Sequence, residues 1–375
     1  MKILVTGGVG FIGSFLADEL IEKGHEVVLY DNLDPQVHLN GKIPSYYNPK
    51  AKFICGDVRD YEKFRDVLLD GVQVVFHFAA AVGITQSQYR IKHYCDVNQG
   101  GTTNLLDILA NHKHRVCKII VAASMSSYGE GVCRCERDGE VRPPVRSPEQ
   151  MERGDWNLYC LLCHSRVETI PTREDAALNC NSIYSINKMN QEQSVLNFGR
   201  TYDLPAIALR FFNVYGPRQS LSNPYTGVSA IFMSRIKNNK SPILYEDGLQ
   251  TRDFVSVHDV VKANILALEK DEGNYHVFNV GSGMPTTIRS VAEKLAEALG
   301  VDISPVVSDK FRKGDVRHCC ADMTKAKNLL GFYPSVSFDD GLKELVEWSK
   351  GEIAADLFHE AEREMVERGL AGHEE

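Results

Sequence analysis

The chain has 375 residues, 43% of them hydrophobic, and a formal net charge of −8 at pH 7. A chain of this length and composition can bury a large core, which excludes a small disulfide-stapled scaffold. Charges of both signs are interspersed, so no surface is expected to collect nucleic acid or anionic lipid. No apolar run approaches the roughly 20 residues of a bilayer span, so a soluble cytoplasmic protein without a membrane partner is expected.

Short apolar runs alternate with amphipathic stretches in the first third of the chain. Strands are predicted at 2–6, 26–30, 52–55, 72–78 and 118–122. Between the first two, apolar residues from Ile12 to Ile21 recur at helical spacing, and Gly24 follows as a stop. After residue 180 the alternation resumes with a helix over 186–200 and a strand over 206–210. This pattern predicts an α/β fold in which crossover helices wind a parallel sheet.

The loop between the first strand and the first helix has glycines at positions 7, 10 and 13. Glycines let the backbone turn tightly and approach a pyrophosphate, and the helix N-terminus supplies N–H donors. Asp31 ends the second strand 18 residues after Gly13, where a carboxylate can accept a hydrogen bond from a ribose 2′-hydroxyl and repel a 2′-phosphate. The loop predicts a dinucleotide site that prefers NAD to NADP; the alternative is a glycine turn that binds nothing.

Two further strand ends supply candidate lining residues for this site. Asp57 and Val58 follow the third strand and are expected beside the adenine. Phe78, Ala79 and Ala80 follow the fourth strand and are expected along the dinucleotide crevice. Taken singly, each of these residues is equally well explained as plain structure.

A tyrosine and a lysine, Tyr184 and Lys188, lie four residues apart on one face of a predicted helix. A tyrosine with a pKa of about 10 is a poor base at neutral pH, but an adjacent ammonium favours the phenolate and lowers that pKa. Ser124 lies just past the fifth strand, where its hydroxyl could bind the same substrate oxygen; Ser126 and Ser127 are nearby alternatives. A Tyr-xxx-Lys pair often occurs by chance, and the additional Ser124 favours a catalytic role for this one.

Residues 130–180 show no apolar period and are interpreted as an insertion. Four of their cysteines form two closely spaced pairs, Cys133 with Cys135 and Cys160 with Cys163. Cys-x-x-Cys is a common half of a tetrahedral zinc site, whereas Cys-x-Cys is less usual. Because the segment has little apolar content, a metal would supply the missing folding energy. We predict that the four cysteines bind structural zinc; free thiols, or Asp138 or His164 in place of one sulfur, are the alternatives.

Together these motifs resemble the extended short-chain dehydrogenase/reductase family, specifically its NAD-dependent nucleotide-sugar epimerases. The resemblance extends to about residue 348 and includes later motifs at 210–219, 248–254, 278–283 and 314–317. The insertion and the segments 82–89 and 223–228 are similar to a bacterial subgroup of dTDP-L-rhamnose 4-epimerase-like proteins. The resemblance implies a Rossmann-type doubly wound parallel sheet with a smaller C-terminal α/β substrate domain.

The family implies a mechanism for the three candidate catalytic residues. Tyr184 as phenolate takes the proton of a sugar hydroxyl while hydride passes to NAD, Ser124 steadies the oxygen, and Lys188 holds the nicotinamide ribose. The keto sugar then takes the hydride back on its other face, which regenerates the cofactor. The implied cofactor-binding residues are Gly7, Gly10, Phe11, Ile12, Gly13, Asp31, Asn32, Asp57, Val58, Phe78, Ala79, Ala80, Asn98, Tyr184, Lys188 and Phe211.

The substrate contacts implied by the resemblance come from several segments. They are Ser87, Tyr89, Ser126, Asn213, Arg218, Arg252, Arg312 and Arg317. Arg252 and Arg312 are assigned to the diphosphate, because a guanidinium binds phosphate in a bidentate way. Arg218 and Arg317 are second choices or surface charges. Cys319 corresponds by position to a residue that limits sugar size in related epimerases, or is a plain buried cysteine.

The predicted organisation and function follow from these assignments. Residues 1–208 form the NAD-binding domain, to which 253–279 is expected to return; 209–252 and 280–350 form the nucleotide-sugar-binding domain, and 351–375 is a charged tail without assigned function. Met125 and Ser126 replace the Asp-Glu pair of related sugar 4,6-dehydratases, so dehydration is disfavoured. The expected activity is 4-epimerisation of a dTDP-6-deoxy-hexose such as dTDP-L-rhamnose. Alternatives are an NAD(P)H-dependent 4-keto-sugar reductase, a UDP-sugar 4-epimerase, and a non-catalytic NAD-binding sensor or scaffold. Homodimerisation is expected from the family only.

Overall fold

A seven-stranded parallel sheet forms the centre of the protein, whose computed structural model describes residues 1–371. The strands are β1 (Lys2–Thr6), β2 (Glu26–Asp31), β3 (Lys52–Cys55), β4 (Val74–His77), β5 (Lys118–Ser124), β6 (Cys133–Cys135), β7 (Gly139–Val141), β8 (Glu168–Thr169), β9 (Ala206–Phe211), β10 (Asn213–Tyr215), β11 (Ile243–Leu244), β12 (Thr251–Ser256), β13 (Val277–Val280), β14 (Pro285–Thr287), β15 (Val306–Val307) and β16 (His318–Cys319). The central sheet has the order β13-β9-β5-β4-β1-β2-β3. Because the order reverses between β1 and β4, a crevice opens outside their carboxyl ends. The predicted Rossmann-type doubly wound fold is confirmed.

Helices cover both faces of this sheet. The α-helices within residues 1–371 are α1 (Phe11–Glu22), α2 (Tyr61–Leu69), α3 (Ile84–Ser87), α4 (Ile91–Tyr94), α5 (Gly101–Asn111), α6 (Pro148–Glu152), α7 (Ile183–Thr201), α8 (Val228–Lys237), α9 (Val257–Glu269), α10 (Ile288–Leu299), α11 (Thr324–Leu330), α12 (Phe338–Ser349) and α13 (Phe358–Glu367). One core packs α1 and α9 against the sheet, and a second core on the opposite face packs α2, α5 and α7. Since the strands are buried on both sides, they read in the sequence as nearly continuous apolar runs.

The start of α7 sets the position of the candidate catalytic tyrosine. Ser182 caps the helix: its hydroxyl accepts from the Ser185 N–H at 3.1 Å, and the Ser185 hydroxyl accepts from the Ser182 N–H at 2.9 Å. This reciprocal cap satisfies two N–H groups of the first turn. The helix therefore begins at Ile183, three residues before the predicted start, and Tyr184 lies in its first turn.

A smaller α/β region follows β9. Strand β12 pairs with β10, β14 and β16, and the helices α8, α10 and α12 pack in one apolar core beside them. Strand β13 then returns to the edge of the central sheet, parallel to β9. The domain boundaries derived from the sequence stay a prediction.

Two segments lie outside these layers. The insertion forms a three-stranded antiparallel sheet in the order β7-β6-β8. In the tail at 351–375, α13 buries Phe358, Ala361 and Met365, and residues 372–375 lie outside the described part of the chain. None of the helices in residues 1–371 is both long and apolar enough to span a bilayer.

Candidate active site

A cavity of about 400 Å³ follows the carboxyl ends of the central strands. Its walls include the glycine loop after β1, Asp31 at the end of β2, Ser124 at the end of β5 and Phe211 at the end of β9. The predicted cofactor residues all line this cavity except Asn98. Their role in binding stays a prediction, but the structure brings them together on one surface.

The glycine loop is too tightly packed for larger residues. A Cβ on Gly13 would lie 2.3 Å from the Gly7 carbonyl oxygen, and a Cβ on Gly7, whose φ is +67°, would lie 3.0 Å from the Ala79 nitrogen. Helix α1 begins directly after Gly10, and among the described residues no side chain caps its first turn. Its free N–H groups and positive end are therefore available to an anion at the cavity, as a pyrophosphate requires.

The carboxyl group of Asp31 is fixed by two backbone donors at the cavity wall. Its oxygens accept from the N–H groups of Leu33 at 2.9 Å and Val9 at 3.3 Å. His38 lies behind it, with Nε2 at 3.6 Å from the carboxylate. Burial raises the pKa of Asp31 and lowers that of His38. His38 could not be predicted as a neighbour of Asp31, because the loop that carries it has no periodic pattern.

The three candidate catalytic residues meet at this cavity. All three line it, and Lys188 Nζ donates to the Ala122 carbonyl at 2.9 Å. Burial raises the pKa of Tyr184 to about 12, an effect that the nearby Ser124 hydroxyl partly offsets, and lowers the pKa of Lys188 to about 7. The spacing of Tyr184 and Lys188 predicted that the lysine would lower the tyrosine pKa; in the protein alone, burial raises it instead. Ser126 supports the site, since its hydroxyl donates to Ser124 at 2.9 Å.

Two residues that line the cavity each have a buried amide oxygen without a hydrogen-bond partner among residues 1–371. They are Asn213, through Oδ1, and Gln219, through Oε1. A buried acceptor without a hydrogen bond is costly, so a donor from a bound ligand would stabilise either side chain. Asn213 was among the predicted substrate contacts, whereas Gln219 was noted only as part of a family motif.

Two predicted ligand contacts support the cavity from behind instead of lining it. Asn98 is fully buried, where its side chain accepts from the Ala81 N–H at 2.8 Å and donates to the Ala81 carbonyl at 3.1 Å. Ser87 is also fully buried, and its hydroxyl accepts from the Tyr184 N–H at 3.1 Å. Neither side chain lines the cavity: both hold backbone next to it, and a direct contact with cofactor or substrate stays a prediction.

The two arginines assigned to the diphosphate are close to one loop of the smaller region. Arg252 Nη2 donates to the Asp315 carboxylate at 3.1 Å, and the Asp315 N–H donates to the Arg312 carbonyl, also at 3.1 Å. The Arg312 guanidinium lies 4.6 Å above the Tyr245 ring. Neither arginine lines the cavity, so their substrate role stays a prediction.

The two second-choice arginines are engaged elsewhere. Arg317 is buried and pairs with Glu246 and Asp247, each at 2.7 Å. Arg218 pairs with Asp18 at 2.8 Å. Neither guanidinium lines the cavity, and a substrate role for either stays a prediction.

Tyr89 and Cys319 are explained by packing partners. The Tyr89 hydroxyl donates to Glu364 of α13 at 2.6 Å and lies 2.8 Å from the hydroxyl of Tyr225, which lines the cavity. Cys319 is fully buried against Tyr128, and burial raises its pKa to about 12. Cys319 does not line the cavity, so the structure agrees with the plain buried cysteine. The participation of α13 was missed because the tail shows no motif.

The cysteine insertion brings together a different set from the predicted one. Sγ of Cys135, Cys160 and Cys163 and a carboxylate oxygen of Asp138 all lie within 4.8 Å of one another. Cys133 is not part of this group, since its Sγ faces the Gly131 carbonyl at 3.8 Å. The cluster therefore favours the alternative in which Asp138 replaces one sulfur, and metal binding stays a prediction.

Comparisons with known proteins agree with this geometry. Residues 3–150 match the model of the NAD dependent epimerase/dehydratase family, and residues 165–345 match that of GDP-mannose 4,6 dehydratase. A dTDP-L-rhamnose 4-epimerase from Burkholderia thailandensis is 36% identical over 94% of this chain and 96% of its own. The UDP-glucose 4-epimerase of Thermotoga maritima, solved with UDP-glucose, has a TM-score of 0.76 and 34% identity over 93% of this chain and 99% of its own. The UDP-glucose 4-epimerase of Thermus thermophilus, solved with NAD, has a TM-score of 0.73 and 29% identity over 94% of this chain and 100% of its own.

Proposed function

The chain belongs to the NAD-dependent epimerase/dehydratase family, and from this premise we propose that it is a nucleotide-sugar 4-epimerase acting on a dTDP-6-deoxy-hexose such as dTDP-L-rhamnose. The observation that carries the proposal is that Ser124, Tyr184 and Lys188 line the same cavity as the glycine loop and Asp31. Tyr184 as the base and Ser124 as the oxygen-binding hydroxyl then lie beside the loop that would hold the dinucleotide, so that all three can serve one carbon of the substrate.

The residues present fit NAD. The cradle that a Cβ at Gly13 would fill and the free N–H groups of α1 suit a pyrophosphate, and Asp31 suits an unphosphorylated ribose. When bound, NAD accepts a hydride from the sugar and returns it, and its oxidised ring brings a positive charge that favours a phenolate.

The protein's own groups move the proton. Tyr184 Oη takes the proton of the C4 hydroxyl as that carbon is oxidised and returns it when the 4-keto sugar is reduced on its other face. Ser124 donates a hydrogen bond to the same sugar oxygen, and Ser126 orients Ser124 from behind. Lys188 is held against β5 by its bond to Ala122, where its amine would hold the nicotinamide ribose.

The sugar nucleotide has two supported candidates. The similarity to the Burkholderia thailandensis enzyme supports a dTDP-activated 6-deoxy sugar. The similarity to the Thermotoga maritima enzyme, solved with UDP-glucose, supports a UDP-hexose as the second candidate. We further infer from the family resemblance that the protein is a homodimer. From the sequence we infer that it is located in the cytoplasm.

The proposal is tested by adding dTDP-L-rhamnose, UDP-glucose and UDP-galactose separately to purified protein without added cofactor and following the sugar protons by NMR. We expect inversion at C4 of dTDP-L-rhamnose, lost in Tyr184→Phe by a factor of about 10² to 10⁴. The control is Tyr61→Phe, whose hydroxyl bonds Asp107 at the surface. Inversion of the UDP-sugars alone would select the second candidate. Turnover only with NADH and a 4-keto sugar would refute the epimerase and favour the reductase.

A further inference from the structure

We propose that Cys135, Asp138, Cys160 and Cys163 bind one structural zinc ion, and that this ion holds the insertion against the loop that carries Arg312. The site lies outside the cavity described above. The binding of the ion does not depend on the proposed function. Only the consequence of the Arg312 loop for substrate affinity rests on that function.

The four ligand atoms are already arranged around a common point. Sγ of Cys135 lies 3.4 Å from Sγ of Cys163 and 3.4 Å from Oδ2 of Asp138, and Sγ of Cys160 lies 3.2 Å from the same Oδ2. In a tetrahedral site with bonds of about 2.3 Å to sulfur and about 2.1 Å to oxygen, neighbouring ligand atoms are about 3.5 to 3.8 Å apart. These three separations are close to tetrahedral spacing, and all four atoms lie within 4.8 Å of one another, so shifts of about 1 Å or less would complete the coordination.

Two turns of the same shape supply the ligands in pairs. Cys135 and Asp138 are followed by Gly139 with φ of 75°, and Cys160 and Cys163 are followed by His164 with φ of 56°. Each turn thus offers two ligands three residues apart, and the residue that follows them, Gly139 or His164, has a left-handed backbone conformation. The left-handed backbone of His164 costs about 1 kcal/mol or more, and a ligand on the preceding thiolate would offset that strain.

Backbone donors complete the second turn. The Leu162 N–H lies 3.4 Å from Sγ of Cys160, and the His164 N–H donates to the Cys160 carbonyl at 3.0 Å. An N–H directed at sulfur stabilises the negative charge of a thiolate, the form that binds metal.

The insertion has little else to hold it together. Its apolar core consists of five buried residues, three of which are cysteines. At the tip of the second turn Leu161 and Leu162 are 59% and 74% exposed. Because structural zinc binding contributes on the order of 10 kcal/mol in small domains, an ion would supply what this core lacks.

The opposite side of the insertion packs on residues 311–318. Arg146 is buried, donating to Glu246 at 2.8 Å and to the Asp315 carbonyl at 3.1 Å. Trp156 lies 6.3 Å from the ring of Phe311, the residue before Arg312. Loss of the ion would therefore loosen the loop that positions Arg312.

The ion is tested by elemental analysis of protein expressed in zinc-supplemented medium. We expect one zinc per chain, and loss of most of it in Cys163→Ser. The matched control is Cys133→Ser, which changes a buried cysteine of the same small sheet and is expected to keep the ion. If Cys163→Ser does not fold, exchange of zinc for cobalt in the unaltered protein decides the question, because three thiolates in a tetrahedral site give visible bands and a thiolate charge-transfer band. Asp138→His is expected to keep the ion and Asp138→Ala to release it to EDTA sooner.

Zinc-free protein from that medium, a disulfide between Cys160 and Cys163 in its place, or loss of zinc in Cys133→Ser would each overturn the site. The coupling is tested by hydrogen exchange before and after EDTA. We expect the amides of 311–318 to exchange severalfold faster without zinc, and unchanged exchange would refute the coupling. If the protein binds one zinc ion but has no epimerase activity, the metal site is supported and the proposed function is refuted.

Discussion

The buried amine of Lys188 should make the native protein less stable, so Lys188→Met is expected to stabilise the fold while abolishing activity. Burial lowers the pKa of Lys188 from 10.5 to about 7. At about 1.4 kcal/mol per pH unit, this corresponds to a cost of about 5 kcal/mol to the native state in acid. Methionine has a similar length and no charge, so it removes that cost and loses only the hydrogen bond to Ala122, worth about 1 kcal/mol.

The sign and the pH window follow from the two pKa values. Between pH 7 and 10.5 the unfolded chain binds more protons at this lysine than the native protein does, so the stability of the unaltered protein rises with pH across that window. The variant lacks this titration. Its advantage in free energy of unfolding should therefore shrink by about 3 kcal/mol between about pH 6.5 and about pH 9.5.

The assay is urea unfolding followed by circular dichroism at both pH values, on protein freed of bound nucleotide. Lys118→Met is the matched control: Lys118 is also buried, but its amine donates to the carbonyls of Ala267 and Leu268 at the end of α9. We expect that control to be destabilised at both pH values, because it leaves carbonyl groups unpaired. A Lys188→Met protein whose stability parallels that of the unaltered protein at both pH values would refute the reasoning.

Three further substitutions test other contacts. Arg146→Met leaves the buried carboxylate of Glu246 without one of its partners and should lower the free energy of unfolding by about 3 kcal/mol, measured in urea; an unchanged midpoint would contradict this. Asp31→Asn removes the charge that repels a 2′-phosphate, so the affinity for NADP relative to NAD, measured by calorimetry, should rise by about tenfold, and an unchanged ratio would count against its assignment to the ribose. Glu364→Gln weakens its bond to Tyr89 by about 1 kcal/mol, and limited proteolysis should release the C-terminal segment faster than in the unaltered protein.

Much of the central fold could be predicted because its signals are local. The strands β1, β2, β4 and β5 are buried on both faces, so each one reads as an apolar run wherever it lies in the chain, and the edge strand β3 is partly buried. The glycine loop and Asp31 are separated by one βαβ unit, which fixes their spacing in the sequence. Tyr184 and Lys188 share a helix face, so four residues suffice to place them together.

The cluster of Cys135, Asp138, Cys160 and Cys163 differs from the set that local spacing predicted. Cys133 and Cys135 are two residues apart on β6, and such residues are about 6.6 Å apart along a strand. That distance exceeds the separation of two ligands on one ion, whereas the turn to Asp138 brings its carboxylate within 3.4 Å. Recognition of β6 as a strand would have favoured Asp138.

The sequence by itself determined the wound sheet, the glycine loop and the serine, tyrosine and lysine set, because each depends on residues close together in the chain or at ends of neighbouring parallel strands. Only the tertiary structure decided that Arg218 pairs with Asp18 and that Glu364 meets Tyr89, 200 and 275 residues apart respectively. Contacts between such distant residues depend on how whole elements pack, and no periodicity in a single chain records which charged side chain will find which partner.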